Sequence, residues 1–415
     1  EIEKYRSNVL KHQILAKDSV NNNLAKIKKS TRTISPLGLQ VLNKEATKQR
    51  RVKPPREVME SGALETMISM KRCWLMSPLS ISQVMPNISG LFDVVIFDEA
   101  SQVRVEDAIP SIYRGKSLIV VGDNKQMPPT NFFAGSGGDD DFDDEEDIEL
   151  GESVLDQALK SYPDVLLEWH YRSQSEALIA FSNYAFYGGR LIAPPNPNTL
   201  VKGRPISFVS VEGGTFTSKN GNPVEAKLIV EEIVSILTSD PGASIGVICM
   251  GVSQQKAVEK MLDEVALVND VFAENYEQAL NYAEDGAFVG FFNKNLENVQ
   301  GDERDYIIIS VGYAAAKAGG KLRKAFGPLS SRGGGRRLNV AITRAKKRIK
   351  VFCSFDPSEL DSSEEAFTKN PDKTYFARYL NYAKAVSDEN LVTAQNILNS
   401  FPVTAVATQR KPTKF

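Results

Sequence analysis

The chain has 415 residues, 42% hydrophobic and 25% charged, with a formal net charge of −2. That length suits two or three domains of an ordinary soluble globular protein. It has no apolar run of the roughly 18 residues that a membrane span needs, opens with no signal peptide, and has three widely spaced cysteines (Cys73, Cys249, Cys353) that make neither a disulfide framework nor a zinc site. Each cysteine has apolar neighbours and is expected to be a small core residue, and a reducing cytoplasm fits. The charge is unevenly spread. Residues 1–56 carry 14 Lys/Arg against 4 Asp/Glu, residues 139–149 carry nine acids and no base, and residues 321–350 carry 11 Lys/Arg and no acid. Separated blocks of opposite sign predict a polyanion partner for the basic parts and a disordered loop for the acidic one.

In chain order, Ile2, Tyr5, Val9, Ala16, Val20, Leu24 and Ile27 recur at helical spacings and predict an amphipathic helix with a basic polar face. Pro54-Pro55 opens a further helix. Residues 1–70 therefore read as a basic helical insertion with no strand of its own, either a solvated arm or a nucleic-acid contact. Cys73-Trp74-Leu75-Met76 reads as a buried strand ending in Ser77-Pro78, where a hydroxyl either bonds a phosphate or caps the next helix.

Two apolar runs, Val94-Val95-Ile96-Phe97 and Leu118-Ile119-Val120-Val121, each end in acidic groups: Asp98-Glu99 and Asp123. Such runs predict parallel strands covered on both faces, with ligands at their carboxyl ends. A strand ending in Asp-Glu is either a pair of solvated carboxylates or what a nucleoside triphosphatase needs: the Asp for Mg²⁺, the Glu to take a proton from water. Residues 135–150 read as a disordered excursion. Residues 167–173 (LEWHYRS) lead into a helix over 176–187 that stops at Gly188-Gly189. There Arg172 can pair with a phosphate while the neighbouring ring stacks on a base. With only two histidines in the chain, a histidine-based metal site or triad has little support.

Residues 193–205 read as a proline-rich linker. A second α/β unit follows, with strands over 206–211, 245–250, 306–311 and 349–353. Its helices begin at Asn222-Pro223-Val224-Glu225, which has the pattern of a capping box, and at Ser253. Val340, Thr343 and Arg344 fall within one turn of an expected helix, with Arg344 free to point away from its apolar face. An amphipathic helix over 375–385 and a polar end without structure complete the reading.

DEASQ (98–102), GDNKQMPPT (122–130), WHYRS (169–173), NVQGDERD (298–305) and RRLNVAITRAKKR (336–348) resemble motifs II to VI of superfamily 1 helicases, in order. The resemblance covers roughly residues 70–355. It is greatest to the branch of the nonsense-mediated-decay RNA helicase and, within it, to large bacterial multidomain AAA/helicase-like proteins.

The resemblance implies an α/β protein with two RecA-like parallel-sheet domains of the P-loop NTPase fold, the first incomplete. ATP would bind in the cleft between them, and single-stranded DNA or RNA across their top, with no membrane involved. Residues 71–200 would be the C-terminal part of the first domain, 201–356 the second, and 357–415 a helix and tail. By the same resemblance Asp98 would hold Mg²⁺, Glu99 would activate water, and Gln126 would sense the γ-phosphate. Tyr171 would stack near the adenine, Arg172 and Arg344 would be arginine fingers, and Gly301 and Glu303 would face the triphosphate and ribose. Ser77 and Pro78 would touch the nucleic acid.

The family's motif I, G-x-x-x-x-G-K-[ST], is absent. The single Gly-Lys-Ser, Gly115-Lys116-Ser117, has Pro110 where the leading glycine belongs and is followed by a strand, so it cannot present backbone N–H groups at a helix N-terminus. The expectation is a chain that starts downstream of motif I and is inactive by itself, or else a non-hydrolysing relative acting as a nucleic-acid scaffold or clamp.

Overall fold

Both apolar runs that precede acidic groups fold as strands. β1 (Phe92–Phe97) and β2 (Gly115–Val120) pair in parallel, with Val95 opposite Leu118 and Phe97 opposite Val120. The computed structural model describes residues 2–30, 34–129, 152–194, 204–284 and 286–402. By contacts the chain divides into two units, Glu1–Asp98 with Arg104–Val121, and Glu99–Val103 with Gly122–Phe415. The acidic run and most of the proline-rich linker lie outside the described residues. Among the described residues no helix is long and apolar enough to cross a membrane.

The first unit begins with α1 (Ile2–Ser30), whose Leu10, Ile14 and Leu15 are exposed. Next come α2 (Pro36–Ala46), capped by the Ser35 side chain, α3 (Pro55–Val58), a π-turn (Met59–Ala63) and α4 (Leu64–Met70). The run from α3 to α4 is broken at Gly62, whose φ of 100° only glycine adopts cheaply. Among its described residues this region holds no strand.

Residues 71–77 are not a strand either, contrary to the sequence reading. Cys73 is exposed rather than a core residue, and Leu75 is 94% exposed. An apolar run becomes a strand only beside a partner, and among the described residues this sheet holds β1 and β2 alone. For the same reason these strands are not covered on both faces: Ile96 stays 63% exposed. α5 (Pro78–Val84) and α6 (Val105–Tyr113) complete the unit. Buried Arg114 joins them by donating to the carbonyls of Met85, Pro86 and Pro110. Gly115-Lys116-Ser117 opens β2, and Lys116 pairs with Asp93, so this tripeptide is strand and not phosphate loop.

The second unit opens with α7 (Val154–Ser161) and α8 (Glu176–Tyr187), the latter ended by Gly188 at φ 60°. Its sheet is five parallel strands in the order β3-β9-β8-β4-β7. The strands are β3 (Ile206–Ser210), β4 (Ile245–Cys249), β7 (Phe292–Asn295), β8 (Arg304–Ser310) and β9 (Ala345–Cys353). A small ribbon, β5 (Ala283–Glu284) with β6 (Ala287–Phe288), is antiparallel.

Successive side chains of a strand face opposite ways, so this sheet feeds two cores. Ile307 and Ile309 pack with Leu338 and Tyr379 on one face. Ile308 packs with Ile229, Val258 and Phe272 on the other. The first face is covered by α8, α12 (Gly334–Ile342), α14 (Pro371–Ser387) and α15 (Leu391–Asn399). The second is covered by α9 (Pro223–Ser239), α10 (Val252–Ala266) and α11 (Asp270–Leu280). α13 (Glu364–Lys369) packs on α14. Both sheets are thus parallel, and the α/β architecture is that of two RecA-like domains.

Two expectations fail here. The polar end is not structureless, because α15 forms, capped by Asn390 and burying Ala394 and Leu398 one turn apart. At α9 the Asn222 side chain accepts from the Glu225 N–H as expected, but the Glu225 carboxylate does not complete the box. It is fully buried and accepts from Ser310 Oγ, the Gly312 N–H and Ser354 Oγ.

Candidate active site

The acids stand where the strands stop. Asp98 follows β1 and is exposed. Glu99 adopts φ 51°, ψ 39°, ahead of a tight turn over Ala100–Gln102. A left-handed backbone at a non-glycine residue is strained, and such strain concentrates at functional sites. The Glu99 carboxylate accepts from Gln300 Nε2 at 3.3 Å. After β2, Asp123 organises its own loop by accepting from the Lys125 N–H at 2.8 Å and Gln126 Nε2 at 2.9 Å. The amide oxygens of Gln126 and Gln300 are both buried without a hydrogen-bond donor in the described structure.

The Trp169–Ser173 segment presents Tyr171, 77% exposed and stacked on Trp169 with ring centroids 6.4 Å apart. His170 accepts the Ser173 N–H at Nε2 (3.1 Å), which places its own proton on Nδ1. Burial, and then the positive Arg172 and Arg344, lower its pKa to about 4, so it is neutral. It anchors a turn. Among the described residues no group of three or more His, Cys, Asp or Glu could hold a metal ion.

Arg172 donates through Nε to Glu303 Oε2 at 2.6 Å and through Nη1 to the Thr343 carbonyl at 3.3 Å. Lys346 holds the other Glu303 oxygen at 2.9 Å. Partial burial opposes the Glu303 charge, but the Lys346 and Arg172 hydrogen bonds prevail and set its pKa below the ordinary value. Gly301 sits at φ 87° with open space where a Cβ would stand.

Arg344 departs from its expected position. α12 ends at Ile342 and Thr343 caps it, so Arg344 lies beyond the helix. It is 2% exposed and folds back to donate to the Val340 carbonyl (2.7 Å), the Asp302 carbonyl (3.4 Å) and Thr343 Oγ1 (2.9 Å). Burial, and then the Arg172 charge, lower its pKa to about 10. It remains a cation.

The structure therefore brings Glu99, Gln126, Arg172, Gly301, Glu303 and Arg344 into one unit, with Tyr171 beside them. Ser77 and Pro78 belong to the other unit, where the Ser77 hydroxyl caps α5 by accepting the Ser80 N–H at 3.2 Å. Of the two uses foreseen for it, the cap is realised. The basic block 321–350 divides. Arg337, Lys346, Lys347 and Lys350 pair with acids of their own unit, while Lys321, Arg323 and Arg332 are exposed. Gln300, Lys346, Tyr187 and Asn339 were not singled out from sequence. Gln300, Asn339 and Lys346 lie inside recognised motifs, but nothing local marks Tyr187.

Parallel sheets, with acids following β1 and β2 and with Glu99, Gln126, Arg172, Glu303 and Arg344 in one unit, define an α/β class. Two family models, both described as AAA domain, match residues 6–133 and 150–356. The chain is 39% identical to the protein named uncharacterized ATP-dependent helicase MG140 homolog of Mycoplasma pneumoniae, over 66% of this chain and 24% of that one. It is 27% identical to helicase SEN1 of Saccharomyces cerevisiae over 66% of this chain and 12% of that one. With the DNA-binding protein SMUBP-2 of Rattus norvegicus it shares 22% over 63% and 25% respectively. The chain thus spans about a quarter (24%) of the length of the Mycoplasma relative. It belongs to the superfamily 1 helicases, in the branch of the nonsense-mediated-decay helicase.

Proposed function

We propose that this chain, with 71–200 and 201–356 as its two RecA-like parts, is the motor core of an ATP-dependent helicase or translocase. It would couple ATP hydrolysis, with Mg²⁺, to movement on single-stranded DNA or RNA. The observation that carries this reading is the convergence of Glu99, Gln300, Glu303, Arg172 and Arg344, which the sequence scatters across some 250 positions, roughly the length of one large domain. The relatives' names, helicases and a DNA-binding protein, point the same way.

The side chains suit the cofactors. Magnesium is usually bound by one or two carboxylates together with substrate phosphates, so Asp98 suffices without a three-ligand cluster. The two donor-less amide oxygens, Gln126 Oε1 and Gln300 Oε1, suit acceptors for the hydrogens of a water that Glu99 deprotonates. Bound Mg²⁺ and ATP would supply the metal's charge neutralisation and the transferring phosphoryl group. Arg172 and Arg344 are the cations that would face the developing charge. Exposed Tyr171 would stack on the base, and Gly301 and Glu303 would border the triphosphate and ribose. Ser77, Pro78 and the exposed bases would meet the nucleic-acid backbone. A phosphate loop is not among these residues, so this chain alone is expected to turn over no ATP.

Strand displacement by the whole protein tests the reading. ATP-dependent displacement from a duplex with a single-stranded overhang is expected. Hydrolysis without displacement would instead identify an ATP-gated clamp, and nucleic-acid binding without hydrolysis a scaffold.

A further inference from the structure

The hydroxyl of Tyr187, the last residue of α8, donates to Asp123 Oδ2 at 2.5 Å and accepts from Asn339 Nδ2 at 2.9 Å. Asn339 is fully buried on α12, and its amide also donates to the Lys125 carbonyl at 2.9 Å. Asp123 in turn holds the Gln126 amide. On the α12 side the Asn339 carbonyl accepts from Thr343 Oγ1 at 2.8 Å, and Arg344 Nη2 donates to that same Oγ1. A continuous path of hydrogen bonds therefore runs from Gln126 through Asp123, Tyr187, Asn339 and Thr343 to Arg344. Tyr187 is its one link supplied by neither the GDNKQ loop nor α12 with the turn that follows it.

We infer that Tyr187 is a positioning residue: its hydroxyl sets the GDNKQ loop against α12, so that the Gln126 amide and the Arg344 turn move as one. Burial, and then the Asp123 carboxylate beside it, push the phenol pKa upward, so the hydroxyl keeps its proton and stays a donor at every working pH. The low dielectric around such a buried path strengthens each of its hydrogen bonds, while Asn339 Oδ1 and Gln126 Oε1 on it have no hydrogen-bond donor in the described structure. The catalytic meaning of the link rests on the proposed function. The mechanical link does not, and coupling along such a path requires a direct test.

The test is Tyr187→Phe, which keeps the buried ring and removes one oxygen. Hydrogen exchange on the 415-residue chain is expected to show the Lys125 and Gln126 amides exchanging at least about tenfold faster, with the β8 amides unchanged. Such a local change reports loosening of the loop rather than of the fold. Unchanged exchange in the loop, or faster exchange in β8 as well, overturns the inference whatever the protein's activity. In the whole protein, Tyr187→Phe is expected to lower ATP turnover. The loss should vanish in a Gln126→Ala background, because a residue acting through Gln126 has nothing left to position. Additive losses overturn the inference. A whole protein without any turnover would defeat the proposed function, and the exchange result would then decide this inference by itself.

Discussion

Arg172 and Glu303 are 131 residues apart in sequence and 2.6 Å apart in space, Nε on Oε2. The pair is accessible, with side chains 32% and 39% exposed, and screened pairs of that kind contribute roughly 0–1 kcal/mol. Arg172 is therefore held in place but not locked, which suits its proposed exchange of a carboxylate for a phosphate. A double-mutant cycle with Arg172→Gln and Glu303→Gln in urea should give a coupling of about 1 kcal/mol or less. A coupling above about 2 kcal/mol would make Arg172 a structural anchor.

Arg344 is different. With three acceptors of its own unit around a buried guanidinium, Arg344→Ala should cost roughly 1–3 kcal/mol of stability as well as turnover. Arg344→Lys should restore little of either, because a point charge cannot span the carbonyls and the hydroxyl together. Thermal melting alongside single-turnover hydrolysis checks this. Full stability in Arg344→Ala would show that the buried hydrogen bonds contribute nothing.

Glu99 stands in the left-handed region, where a side chain costs about 1–2 kcal/mol. Glu99→Gly should accordingly raise the unfolding free energy by about 1 kcal/mol while abolishing hydrolysis by the whole protein, the pattern of a strained functional residue. A destabilised Glu99→Gly chain would mean that the conformation is held by something other than strain tolerated for function.

Burial, acting against three hydrogen-bond donors, raises the Glu225 pKa from 4.5 to about 7. The folded state thus binds this proton more tightly than the unfolded chain. The associated stability is fully present below pH 4.5 and is lost as pH rises through 7, a cost of roughly 3 kcal/mol. Glu225→Gln should gain melting temperature relative to the parent as pH rises from 5 to 8. A difference independent of pH would contradict this assignment.

How much of this was legible depended on whether the signal was local. β1, β2, β4 and β8 were readable because four or five adjacent apolar residues leave few alternatives to a strand. Residues 73–76 carry the same signal and fail, because a strand also needs a neighbour to take its hydrogen bonds and none of the described residues supplies one there. The motifs singled out Glu99, Gln126, Arg172 and Arg344, which fall in one unit of the structure. They could not show that α12 stops at Ile342 and turns Arg344 inward, since one residue of helix length decides which way it faces. α15 was missed because Ala394 and Leu398 are its only buried positions in a polar stretch. Tyr187 carried no signal at all: its partner Asp123 is 64 residues away, and nothing in the sequence pattern ties an aromatic at a helix end to a distant loop.

The central claim is that Glu99 is the base of an ATP-hydrolysing motor. Single-turnover hydrolysis of ATP by the whole protein, with Mg²⁺ and single-stranded nucleic acid, compared between the parent and Glu99→Gln, tests it most directly. The account predicts that Glu99→Gln still binds nucleotide but hydrolyses it about 10²–10⁴-fold more slowly, the usual contribution of a general base. Hydrolysis at the parent rate in Glu99→Gln would contradict it.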